Sequence, residues 1–131
     1  MFLRQKLDER KWVKCKISEL RQSALKFTEH QDDVLKQLLS LLDKLQTINL
    51  VIHKVNNNSV IEIAGTKVTL NTAIELRNTI KTKIGIMSEL IVADTGKLDI
   101  LALMGQRDNM LAEYSALDSA INQADWKIQI D

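Results

Sequence analysis

From Val34 onward the chain places apolar residues at alternating spacings of four and three: Val34, Leu38, Leu41, Leu45, Ile48, Ile52 and Val55. This rhythm keeps one stripe of a helix facing one neighbour, and sustained over three heptads it is a coiled-coil seam. Leu39, Leu42, Leu50 and Val51 widen the stripe, which predicts a helix that buries more than one face against several neighbours. Ahead of it, Val13, Ile17, Leu20, Ala24 and Phe27 carry the same rhythm, and Leu3 and Leu7 continue it imperfectly toward the start. Between these stripes lies Thr28-Glu29-His30-Gln31-Asp32-Asp33, in which either aspartate suits the positive start of the second helix. So short a polar link predicts an antiparallel helical hairpin.

The second helix is expected to end at Asn56-Asn57-Asn58-Ser59, whose side chains compete with the helical backbone. Val60–Ile63 and Lys67–Leu70 are then β-branched runs about Ala64-Gly65-Thr66, the pattern of a small β-hairpin. Thr69 or Asn71 starts a third helix, and Thr72 with Glu75 has capping-box spacing. Its stripe reads Ala73, Leu76, Ile80, Ile84, Met87, Ile91 until Asp94-Thr95-Gly96 stops it. A fourth stripe follows with Ile100, Leu103, Met110, Tyr114, Leu117, Ile121 and Ala124, and Arg107 occupies one of its apolar positions. The closing residues 125–131 alternate in polarity, which suggests an extended tail able to add a strand to the small hairpin. The expected fold is all-α: about four helices in antiparallel coiled-coil hairpins, with a β-hairpin insertion near residues 60–70. One domain spans 1–131, with a first helical hairpin at 1–58, the β-hairpin at 59–70, and a second helical hairpin and tail at 71–131. Helices of ~20–25 residues would be ~30–38 Å long, and hairpins so elongated leave apolar flanks for a partner subunit.

Composition supports long helices, for there is no proline, only four glycines, and aromatics make up 4% of the chain. The net charge of +1 conceals an asymmetry: residues 1–27 hold eight bases against three acids, and residues 98–131 hold two bases against six acids. Those segments are read as helices that pair charges within a chain or across a subunit interface. The basic segment has no aromatic interleaving, so nucleic acid is not an expected partner. Lone Cys15 cannot form an internal disulfide and fits a reducing compartment. The start of the chain has no apolar leader, and the apolar stretch Ile84–Val92 falls short of the ~20 residues of a membrane span. A cytoplasmic protein that does not engage membranes is the expectation.

Three polar-punctuated segments have a familiar order. Ile52-His53-Lys54-Val55-Asn56-Asn57-Asn58 resembles I-x-R-I-N-x-T-N. Residues 69–78, Thr-Leu-Asn-Thr-Ala-Ile-Glu-Leu-Arg-Asn, resemble T-L-T-x-A-L-x-x-R-D, and residues 117–126, Leu-Asp-Ser-Ala-Ile-Asn-Gln-Ala-Asp-Trp, resemble L-D-x-x-I-Q-x-x-N-W. With the Leu7-x-x-Arg10 start, the chain resembles the septicolysin-like family of small helical bacterial proteins. The resemblance implies a helical, oligomeric protein of no established biochemical role, and the family name alone suggests a cytolysin. The chain departs from the pattern where Asp94-Thr95-Gly96 replaces an arginine- and serine-rich segment and where Asn78 stands in place of an aspartate.

Motifs for catalysis are missing: His30 and His53 have no metal-ligand spacing, and no phosphate loop or nucleophile elbow occurs. The lysines at 11, 14 and 16 flank Cys15, but no histidine is near it in sequence. No catalytic residue, metal or cofactor is therefore assigned. Polar donors do gather where the second helix ends and the third begins: Lys54, Asn56, Asn58, Arg77 and Asn78. With Arg107 they are candidate ligand-binding residues, against the plainer reading that they cap helices and pair with Glu62, Glu75 or Asp118. Trp12, off the first seam, and Leu39 and Leu42 are candidate interface residues, as is Trp126, which also suits stapling of the C-terminus. The leading expectation is a non-enzymatic structural or interaction protein that forms a homo-oligomer. Second comes a module that binds or sequesters an anionic small molecule, such as a nucleotide, in an intersubunit pocket; third is a membrane-active cytolysin-like protein.

Overall fold

The computed structural model describes residues 1–26 and 31–130; the expectations for Phe27, for 28–30 including His30, and for Asp131 lie outside the described residues. Its elements run α1 (Leu3–Lys26), α2 (Gln31–Asn58), β1 (Val60–Ile63), β2 (Thr66–Thr69), α3 (Leu70–Ala93) and α4 (Ile100–Lys127). The fold is mostly α with one two-stranded antiparallel β-hairpin, as the periodicities predict. The chain divides into two compact units, one of residues 1–57 with the C-terminal segment from Asp125, the other Asn58–Ala124.

In the first unit α1 and α2 are antiparallel. At the linked end Gln31 donates its side-chain N–H to the Ala24 carbonyl (2.9 Å), and farther along Lys44 meets Glu9 at 3.7 Å. The α2 seam is the predicted one: Ile48 and Ile52 are buried, and Val34, Leu38, Leu41, Leu45 and Val55 are half-buried. Leu3 and Val13 of α1 are fully buried. Complete burial of side chains of this size stabilises by about 1.5–3 kcal/mol each. The second face of α2 departs from expectation, because Leu39, Leu42 and Leu50 are exposed. Of the four widening residues Val51 is half-buried, so a single chain covers the coiled-coil stripe and that one neighbour of it.

The C-terminus also differs from the expected third strand of the hairpin. Helix α4 continues to Lys127, and the tail then pairs with the N-terminus through an isolated antiparallel bridge between Phe2 and Gln129. Leu3 donates its backbone N–H to the Ile128 carbonyl (2.8 Å), and Ile130 donates to that of Met1 (2.7 Å). The first N–H groups of a helix have no partner within it, and the tail satisfies that of Leu3. Buried Asp125 lies 3.9 Å from Arg4, which joins the same termini.

The second unit opens with β1 and β2 in the register Val60↔Thr69 to Ile63↔Thr66. Ala64 (φ 50°) and Gly65 (φ 82°) form the two-residue turn. Two positive φ angles are the backbone of a type I′ turn, whose twist matches that of paired strands. Thr69 ends β2 and caps α3, its hydroxyl accepting the backbone N–H of Thr72 (3.1 Å). Thr72 and Glu75 therefore lie inside the first turns of the helix. The side chain of Asp94 accepts from the Gly96 N–H (3.2 Å) beyond the end of α3, and Asp99 accepts from the Ala102 N–H (3.1 Å) at the start of α4. Along α3 the covered stripe is Leu70, Ala73, Arg77, Ile80, Ile84, Met87 and Ile91. Arg77 takes the place expected for Leu76, which is largely exposed.

Candidate functional site

The residues proposed from sequence as one ligand site are divided between the two units. Lys54 and Asn56 belong to the first unit; Asn58, Arg77, Asn78 and Arg107 belong to the second. Lys54, Asn58 and Asn78 are exposed. Arg77 donates to the Asp118 carboxylate at 3.0 Å, and the other oxygen of that carboxylate accepts from Asn122 at 3.3 Å. This is the structural pairing held as the alternative: it ties α3 to α4 and engages both oxygens. It also joins two of the segments on which the septicolysin-like resemblance rests, 69–78 and 117–126. Arg107 lies eleven residues before Asp118 on α4, about 16 Å along a helix rising ~1.5 Å per residue. It meets its sequence neighbour Asp108 at 3.6 Å, and among the described residues its buried Nε has no hydrogen-bond partner.

The first unit carries polar groups that the sequence reading had not combined. An open groove of about 640 Å³ runs between α1 and the C-terminal half of α2. Arg10 enters from α1; Gln46, Asn49, His53 and Asn56 enter from α2, over an apolar wall formed by Leu42, Leu45, Leu50 and Ile52. At 100° per residue, positions 42, 46, 49, 53 and 56 form one line beside the buried seam. His53 shares a 3.1 Å hydrogen bond with Asn57. Arg10 forms no ion pair or hydrogen bond among the described residues, whereas Arg4 is paired with Asp8 and Asp125. Of the candidate ligand-binding residues Asn56 lines this groove, and of the candidate interface residues Leu42 does. The signal for the rest was the four-three spacing of polar residues continuing from Leu42, which is visible only once the seam is fixed.

The apolar flank leading into the groove is Leu35, Leu39 and Leu42, which are 53%, 53% and 46% exposed. Trp12 lies elsewhere. It borders a cleft with Lys16, Leu20, Lys36, Gln37, Ser40 and Leu41, and Lys44 stands 6.0 Å from its ring centre. Positions 37, 40 and 44 are on the opposite flank of α2 from 35, 39 and 42, so Trp12 and the two leucines do not share a surface. Trp126 is 56% exposed, and the backbone bonds of the tail provide the stapling expected of it.

No family model matches the chain. No curated protein matches it either. A crystal structure of a functionally unknown conserved protein from Corynebacterium diphtheriae is similar to this chain, with a TM-score of 0.87 over 100% of this chain and 99% of that one. The two sequences are 21% identical, so the likeness is one of fold. The class defined is a mostly helical protein with a β-hairpin between helical segments. Among the described residues no helix is long and apolar enough to cross a membrane.

Proposed function

We propose that this is a non-enzymatic structural or interaction protein that forms a homo-oligomer through the outer flank of α2. The observation that supports the reading is the exposed run Leu35, Leu39, Leu42. Its spacing is that of a coiled-coil seam, which a second helix of the same pitch fits. A second copy of the chain is the occupant the charges favour. Net charge is only +1, so copies repel little, and the basic beginning and acidic end offer each copy both signs. A two-fold contact sets Leu39 of one copy against Leu42 of the other, with each leucine used twice. The resemblance to the septicolysin-like proteins accords with the same reading, because it implies a helical oligomer.

Size-exclusion chromatography with light scattering on Leu39→Glu and Leu42→Glu tests it. Each charge enters a two-fold contact twice, and together the pair is expected to weaken association at least 100-fold, about 2.7 kcal/mol. Trp12→Ala, on the other flank, is expected to leave the association unchanged. Variants that elute with the same mass as the parent at every concentration would refute the assignment.

A further inference from the structure

We infer that the groove between α1 and α2 binds a small anion with an apolar body, a carboxylate or a phosphate monoester, with its charged head on Arg10. The polar groups lining it are a guanidinium, an imidazole and amides: Arg10, His53, Gln46, Asn49 and Asn56. Among the described residues no carboxylate lines it. Among the described lining residues no acid offsets the charge of Arg10. Arg10 is half-buried and has no acid partner among the described residues, so its planar fork is free to take two oxygens of one anion. The amides of Asn49 and Asn56 add neutral donors beside it. Leu42, Leu45, Leu50 and Ile52 supply the apolar wall, which suits a hydrocarbon body rather than a bare inorganic ion. About 640 Å³ accommodates a ligand of that kind. Every lining residue comes from one chain; Leu42 is shared between this wall and the proposed contact, whereas Leu39 belongs to the contact and does not line the groove.

The test is calorimetric titration of the full chain with octanoate, octyl phosphate and octyltrimethylammonium, which share an apolar body and differ in the head. The anions are expected to bind at least tenfold more tightly than the ammonium, and the tighter of the two identifies the head group. Arg10→Gln is expected to abolish that preference. Asn49→Asp, which puts a carboxylate in the groove at nearly constant shape, is expected to weaken the anions at least tenfold. Arg21→Gln, an exposed position away from the groove, and Leu39→Glu are expected to bind as the parent does. Retained anion binding in Leu39→Glu alongside a changed mass separates this site from the assembly. Equal affinity for the ammonium, undiminished binding in Arg10→Gln, or no binding of either anion overturns the inference. Circular dichroism of each variant confirms that a loss of binding is not a loss of fold.

Discussion

Arg77 and Arg107 are both charged residues on apolar stripes of the second unit, and their surroundings give them opposite consequences. Arg77 is matched: Asp118 is 3.0 Å away, and their side chains are 24% and 36% exposed. Removing the arginine leaves a half-buried carboxylate with only Asn122, so Arg77→Ala is expected to cost about 1–2 kcal/mol in urea unfolding. The double variant with Asp118→Ala should recover part of that loss, with a coupling of about 1 kcal/mol. Additive losses would show that the pair does not interact. Arg107 is unmatched at its Nε. Replacing a half-buried cation with an apolar side chain of the stripe removes a desolvation cost, so Arg107→Leu is expected to raise stability by about 1–2 kcal/mol. A destabilised variant would contradict this reading of Arg107.

The hairpin turn and the start of α3 make separate, local demands. Ala64 holds φ 50°, a region L residues enter at a cost and asparagine tolerates better. Ala64→Asn, which creates the preferred Asn-Gly pair, is expected to stabilise by about 0.5–1 kcal/mol, read as a higher thermal midpoint. Thr69→Ala deprives the Thr72 N–H of its partner and is expected to cost about 1 kcal/mol. The helices, the β-hairpin and the stop at Asp94-Thr95-Gly96 were legible because each has a local cause: periodicity, β-branching about a glycine, or a left-handed stop. The seam of α3 was less legible. Leu76 and Arg77 are adjacent, and apolar character favours the leucine; Leu70, buried at the first helical position, sets the register that selects the arginine. The destination of the tail was not legible at all. Its alternation predicts extension, but the choice of residues 1–3 over β1 depends on which backbone groups are left unpaired, a tertiary fact. The groove was hidden for the same reason, because Arg10 is distant in sequence from Asn49 and His53.

At the scale of the whole molecule, exposed apolar side chains are numerous: besides the α2 flank, Val92 is 87% and Leu101 81% exposed. The proposed contact uses the α2 flank, whose exposed Leu35, Leu39 and Leu42 have coiled-coil spacing. Native mass spectrometry of the unmodified chain over a wide dilution range is the most direct measurement. The account predicts an integral multiple of the 14.9 kDa chain that persists on dilution and falls to one chain in the Leu39→Glu, Leu42→Glu variant. A parent protein that remains a folded 14.9 kDa monomer at every concentration would contradict it.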